Sequence, residues 1–397
     1  MTLATACSAE KDTAAAFDAA YRVLRDRMTG DPDILFAHFT EDHDAAALAR
    51  GFAALPAAVR VHGGTSCRGL MTEEGVCLDG PALGLLGLRL AATRFGTAFA
   101  EKTDDPRAAA RAAVHAALAD AGRPGEVPDL VLLTAAPGGE EAVLAGIADV
   151  LGAAVPVCGG SAADDDGTGN WWVAARAGGS RTGLALTVIF TGVAMSRAFH
   201  GGCAPSRFSG VVTATDGPRV ISRIDGAPAA EVYEAWYRAC AGQPLPRDES
   251  FLSCTALTPL GRQVGEIGGF GLYALAHVRT LREDGGIEVL ADAAPGQQWH
   301  LMLGARDTLA SRAARTVESA IAVQCTDVCT VSGALIAFCA GLALTLKDDM
   351  PKVQQSLRVA MLGRPFLAAF TFGEQGCLPE DRAIHANLMI SVLIFGT

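Results

Sequence analysis

Two stretches of this 397-residue chain carry the same strand, helix, strand and glycine-pair pattern at a fixed offset. His62-Gly63-Gly64-Thr65-Ser66 is matched 96 positions later (159 − 63) by Cys158-Gly159-Gly160-Ser161-Ala162. The apolar runs before them, Asp33-Ile34-Leu35-Phe36-Ala37 and Asp129-Leu130-Val131-Leu132-Leu133, keep the same offset. Between run and glycines lie helix-like stretches, Asp44 to Leu55 and Glu140 to Leu151. A repeat without slippage predicts a duplicated α/β unit, with two glycine loops at strand ends facing one another across a pseudo-two-fold. Glycine pairs there let backbone N–H groups approach a ligand closely.

The length calls for more than one core. Half the residues are apolar and 19% are charged, the mark of a globular chain. A net charge of −11 argues against nucleic acid or an anionic membrane as partner, because both require a basic face. Met1 to Ala15 lacks the charged and apolar regions of a secretory leader, so a soluble, cytoplasmic protein is expected. Val331 to Leu346, the longest uncharged run, is too short to span a bilayer and reads as a buried strand entering a turn. Eleven cysteines at irregular spacing read as reduced, buried thiols. Cys325 and Cys329 share a helical spacing, but no second pair completes a zinc set.

Further along, Pro106 to Ala121 has proline near its start and Gly122 beyond its end, as helices do. His200 to Ser209, rich in Gly, Pro and Ser, reads as a linker between halves. The end of the chain repeats the theme loosely. A strand, Ser332 to Cys339, leads to a helix, Met350 to Leu362, and a strand, Phe366 to Phe372, that ends in Gly373-Glu374. Leu388 to Phe395 is a last strand. The expected fold is α/β, with mixed sheets covered by helices. Its N-terminal half is an internal duplication, with repeats at about 30–100 and 126–195, and its C-terminal half has related strand–helix–strand units. Domains are expected at 1–200 and 201–397.

Two constellations carry chemistry. Gly63, Gly64, Thr65, Ser66, Gly159, Gly160 and Ser161 offer N–H donors and hydroxyls to a carboxylate or carbonyl; alternatively, the glycines only permit a turn. Gly373-Glu374 is taken as the matching third loop, with Glu374 facing an ammonium. Cys339, His385 and Glu374 are the parts of a cysteine nucleophile, set against the plainer reading of Cys339 as an inert thiol among Leu335, Ile336, Ala337 and Phe338. His62 and His200 are weighed as metal or haem ligands and Asp164 to Asp166 as a cation site, but structural histidines and a solvated hairpin tip explain them better. Trp171, Trp172 and Trp299 suit either a pocket wall or the core.

Phe338-Cys339-Ala340-Gly341, Phe370-Thr371-Phe372-Gly373-Glu374 and His385-Ala386-Asn387 resemble successive stations of the FIST family's C-terminal domain. The two Gly-Gly segments resemble its N-terminal domain, Gly202-Cys203-Ala204-Pro205 its junction, and Ile224-Asp225-Gly226-Ala227-Pro228-Ala229 the opening of its C-terminal part. The resemblance implies a sensory module for a small molecule, amino acids being the class proposed for the family. It adds Asn387 to the ligand-facing residues. Leu342 stands where the family has Arg, and one residue is inserted between His385 and Asn387. The expectation is therefore a non-catalytic sensor for an amino acid or related small carboxylate or amide, acting on a separate signalling protein. Alternatives are a cysteine-dependent hydrolase or transferase using Cys339, His385 and Glu374, and a haem-based nitric-oxide sensor of the kind some members form. No metal and no resident cofactor are expected; alanine-rich helices and an apolar last strand suit a homodimer.

Overall fold

In the computed structural model, which describes residues 2–90, 93–324, 331–378 and 382–396, the repeating unit is longer than its sequence signature. The first copy runs β1 (Thr2–Ser8), α1 (Thr13–Met28), β2 (Ile34–Phe39), α2 (Ala45–Ala54), β3 (Arg60–Thr65), the hairpin β4 (Gly69–Thr72) and β5 (Gly75–Leu78), then β6 (Leu83–Arg89). The second is β7 (Arg94–Glu101), α3 (Pro106–Asp120), β8 (Leu130–Ala135), α4 (Glu140–Leu151), β9 (Val157–Ser161), β10 (Val173–Ala175), β11 (Gly178–Ser180) and β12 (Gly183–Phe190). A third opens with β13 (Met195–Gly201) and is interrupted by an insert. The insert comprises β14 (Ala204–Thr215), β15 (Val220–Ile224), β16 (Ala227–Pro228), α5 (Ala229–Ala241), α6 (Phe251–Leu257), β17 (Leu260–Ile267), β18 (Phe270–Ala276), β19 (Val278–Leu281), β20 (Ile287–Val289) and β21 (Gln298–Leu303). The unit resumes with α7 (Arg306–Gln324), β22 (Val331–Cys339), α8 (Ala340–Thr345), α9 (Met350–Ala360), β23 (Phe366–Thr371), the hairpin β24 (Glu374–Cys377) and β25 (Ala383–Ala386), and β26 (Met389–Gly396).

Aspartates start the alanine-rich helices. Asp12, Asp44 and Asp105 each accept backbone N–H groups of the first turn, and Pro106 occupies the start of α3 where its missing N–H costs nothing. The apolar strands are buried on both faces, as parallel crossings covered by helices require.

Three like sheets result: β1-β6-β2-β3-β10-β11, β7-β12-β8-β9-β24-β25 and β13-β26-β22-β23-β4-β5. In each, the hairpin at one edge comes from another unit. The first unit lends its hairpin to the third sheet, the second to the first and the third to the second. The exchange closes into a ring. Three hydrogen bonds repeat it at the strand ends: Cys67 N–H to Phe370 O at 3.0 Å, Ala163 N–H to Thr65 O at 3.1 Å, and Phe372 N–H to Ser161 O at 3.0 Å. Phe36, Leu132, Leu367 and Phe395 meet in one core where the inner faces of the sheets converge.

This geometry corrects five expectations. The units form a ring of three, not a pair about a two-fold. Gly63-Gly64 and Gly159-Gly160 lie inside β3 and β9 and not in loops. They are glycine because a Cβ at Gly63 would sit 1.8 Å from Ala37 O and one at Gly159 1.9 Å from Leu133 O. The parallel register pairs Ala37 with Gly63, Leu133 with Gly159 and Ile336 with Ala368, so Ala368-Ala369, not Gly373-Glu374, are the third copy's counterparts. Residues 200–209 are strands β13 and β14 instead of a linker, because the insert leaves the third unit there. Asp164 is fully buried, accepting from the N–H groups of Gly167, Gly169 and Asn170, so it folds its loop and does not form a solvated tip. Cys325 and Cys329 lie outside the described residues.

Candidate functional site

Where the third unit's hairpin crosses the second unit, buried polar groups gather. Glu140 begins α4 and is 1% exposed. Its Oε1 accepts from Ser161 Oγ at 3.0 Å, and Arg219, reaching in from the insert, donates to its Oε2 at 2.5 Å. Burial pushes the Glu140 carboxyl up, but the His385 ring, Arg219, Lys102 and its own backbone N–H outweigh that and hold it at about 2. Ser161 in turn accepts from Gln375 Nε2 at 3.3 Å. That same amide nitrogen is 3.1 Å from His385 Nδ1, and His385 Nε2 is 3.3 Å from Leu290 O. Arg219 also bridges Glu141 and Asp292 at 3.2 Å each.

Beside this network lies a cavity of about 290 Å³. Leu144, Ile147, Val155 and Ile384 form its apolar wall, and Arg262, Arg382, Glu141 and His385 bring charge and hydrogen-bonding capacity. Arg262 comes from β17, Arg382 from the residue before β25. Neither guanidinium has an ion pair among the described residues, and the buried Arg262 Nε has no hydrogen-bond partner. Burial lowers the Arg262 pKa and the neighbouring Arg382 charge lowers it further, against Glu141. Two guanidiniums beside an apolar wall form a receptor for an anion. A carboxylate fits their planar donors two oxygens at a time.

Cys339 and Glu374 do come together, one layer inward. Thr371 Oγ1 donates to Glu374 Oε1 at 2.7 Å and Met389 N–H to Oε2 at 3.1 Å, while the Leu388 N–H points at Cys339 Sγ at 3.2 Å. Burial pushes both acids well above their usual ranges, and the Glu374 charge adds to the effect on Cys339. The His385 ring nitrogens are directed to Gln375 and Leu290, and among the described residues no hydrogen bond joins His385 to the Cys339 thiol. Asn387 Oδ1 accepts from the His277 N–H at 3.2 Å. Gly373, at φ +97°, packs so closely that a Cβ would meet His385 Cε1 at 2.4 Å. Thr65 Oγ1 accepts the Trp172 N–H at 2.8 Å, and Ser66 Oγ accepts the Phe370 N–H at 2.7 Å and donates to Gly69 O. These hydroxyls join units to one another.

His62 is bonded to Thr187 and Thr134 at 2.9 and 3.0 Å and borders a cavity of about 30 Å³, which has no room for a porphyrin. His62 does not fit haem. Among the described residues no group of His, Cys, Asp and Glu is arranged to hold a metal, and no helix is long and apolar enough to cross a membrane. Sequence reasoning passed over Glu140, Arg219, Arg262, Gln375 and Arg382. Arg382 stood three residues before a histidine already singled out; nothing marked Arg262.

The chain matches the FIST N domain over residues 33–227 and the FIST C domain over residues 229–377. It belongs to the FIST family, whose domains are associated with sensory, small-ligand-binding roles in signalling. No curated protein matches it. Among solved structures it is similar to a cyanuric acid hydrolase from A. caulinodans at 13% identity and a TM-score of 0.30, over 50% of this chain and 70% of that one. A second cyanuric acid hydrolase, described as an evolutionary innovation by structural concatenation, gives 10% identity and 0.29 over 68% and 84%. PurLQS from Thermotoga maritima gives 10% and 0.21 over 76% and 73%. Superpositions this loose carry no functional inference.

Proposed function

We propose that the protein is a small-molecule sensor whose ligand is a small carboxylate, an amino acid or a close relative. It would be held beside α4 by Arg262 and Arg382 and read out by a separate signalling partner. The observation that carries this reading is the unpaired, mutually repelling guanidinium pair at an apolar cavity. An incoming carboxylate relieves the repulsion, while the ligand's apolar part covers Leu144 and Ile147. The pair also supplies the guanidinium that the family places at the position of Leu342, which is fully buried here. Ligand contact with His385 would reach the Gln375–Ser161–Glu140 chain and, through Arg219, the insert. That is a route by which occupancy can alter how the insert sits.

Thermal unfolding with propionate, alanine, propionamide and propylamine tests the reading. Binding to the folded state alone adds RT ln(1 + [L]/Kd), about 2.7 kcal/mol at a hundredfold excess over Kd. The two carboxylates are expected to raise Tm and propylamine to leave it unchanged. A rise with propylamine alone would contradict the proposal.

A further inference from the structure

Two thiols meet where the first sheet packs on the third, away from the arginine cavity. Strand register places them. Across β1 and β6 Cys7 is opposite Gly84, and across the hairpin of β4 and β5 Cys77 is opposite Leu70. Residues directly opposite in an antiparallel pair turn their side chains to the same face. Gly84 and Leu70 face one another, since a Cβ at Gly84 would sit 2.9 Å from Leu70 Cδ2. Cys7 and Cys77 therefore enter one gap from opposite sides, beside the core of Leu70 and Leu367.

The strands around them are pinned. Thr5 Oγ1 donates to Glu73 Oε1 at 2.5 Å, and Arg27 donates both to Thr5 O at 2.8 Å and to Glu74 Oε1 at 2.6 Å. β1 ends the first sheet and β5 ends the third, so the pair sits at a rim, and both cysteines are half-buried free thiols. The Cys7 thiol donates to Cys77, which raises Cys7 and lowers Cys77 to about 7 against the opposing effect of burial. Cys67, Cys158 and Cys203 are instead pushed up by burial. A thiolate beside a thiol that can resolve it is the arrangement in which oxidation ends at a disulfide.

We propose that Cys7 and Cys77 form a peroxide-responsive dithiol, whose disulfide ties β1 to the hairpin that the first unit lends to the third sheet. The Cys77 thiolate attacks one oxygen of hydrogen peroxide. An S–O bond forms, the O–O bond breaks, and the hydroxide released takes up the proton that Cys77 had lost to solvent. The Cys7 sulfur then attacks the sulfur of the Cys77 sulfenic acid. The S–S bond forms, the S–O bond breaks, and the departing hydroxide carries off the Cys7 proton as water. Two thiols are oxidised by two electrons, and one hydrogen peroxide is reduced to two waters. The new bond fastens one of the three hairpin exchanges that close the ring.

The test adds hydrogen peroxide to the full chain in slight excess, alkylates the remaining thiols and weighs the tryptic peptides without reduction. Cys7 and Cys77 are each the one cysteine of their peptides, residues 1–11 and 69–89. These two peptides should appear joined and lighter by two hydrogens, and should separate again with dithiothreitol. In Cys7→Ser, Cys77 should stop at the sulfenic acid and be trapped by dimedone. In Cys77→Ser, Cys7 should remain a thiol. Both peptides alkylated after the exposed Cys240 has been oxidised, Cys7 joined to another cysteine, or Cys7 oxidised equally in Cys77→Ser would each overturn the assignment. The wild-type peptide map decides the question even if a variant fails to fold.

Discussion

Arg262 and Arg382 turn two guanidinium groups toward one cavity, and no described carboxylate forms an ion pair with either. Proteins seldom hold like charges together without an answering group, and here the answer is left to a ligand. The neighbouring Glu140–Arg219 pair shows the contrasting case, in which the chain supplies both partners.

Glu140→Gln should therefore destabilise the protein by about 1–2 kcal/mol, because Arg219 loses the most deeply buried of its three carboxylate partners. Urea unfolding measures the change. In an Arg219→Gln background the same substitution should cost clearly less; an equal cost would mean that the two residues are not coupled.

Acid should weaken the fold through two buried histidines. Burial lowers His38 to about 4 and His62 to about 3, against about 6.5 in an unfolded chain. Between those values the unfolded state binds more protons, so stability is complete above pH 6.5 and is lost as pH falls. The loss is about 2 kcal/mol per histidine between pH 7 and pH 5. Urea midpoints across that range, compared with those of His62→Gln, should show a shallower slope in the variant.

Gly63→Ala should cost about 3 kcal/mol or prevent folding, because its Cβ falls on the Ala37 carbonyl oxygen of the adjoining strand. Gly75→Ala, with open space around its Cβ, is the control and should be close to neutral. Thermal unfolding of the pair separates a packing role for the glycine doublets from a general intolerance of substitution.

The duplication was legible because both copies keep Asp33 and Asp129, Gly63 and Gly159, in strict register. The third copy was legible as an order of elements but not in register. Ala368-Ala369 replace the glycines, so Gly373, a conspicuous glycine nearby, drew the alignment away. The insert was hidden because β13 and α7 pack together in space but are separated by more than a hundred residues. Hairpin exchange left no local mark, since strand propensity does not say which sheet a hairpin joins. Cys339 and Glu374, grouped in the sequence by chemistry, lie together in the fold, where Glu374 is also held by Thr371. The arginine pair joins residues from the insert and from the third unit's hairpin, and such a convergence is a property of the tertiary fold alone.

Isothermal titration of propionate into the wild type, Arg262→Gln and Arg382→Gln tests the central claim most directly. The account predicts saturable binding that weakens about tenfold or more in each variant, since each removes one charge-assisted contact. Unliganded Arg262→Gln should be no less stable than the wild type, because repulsion is relieved. Equal affinity in all three proteins would contradict the account.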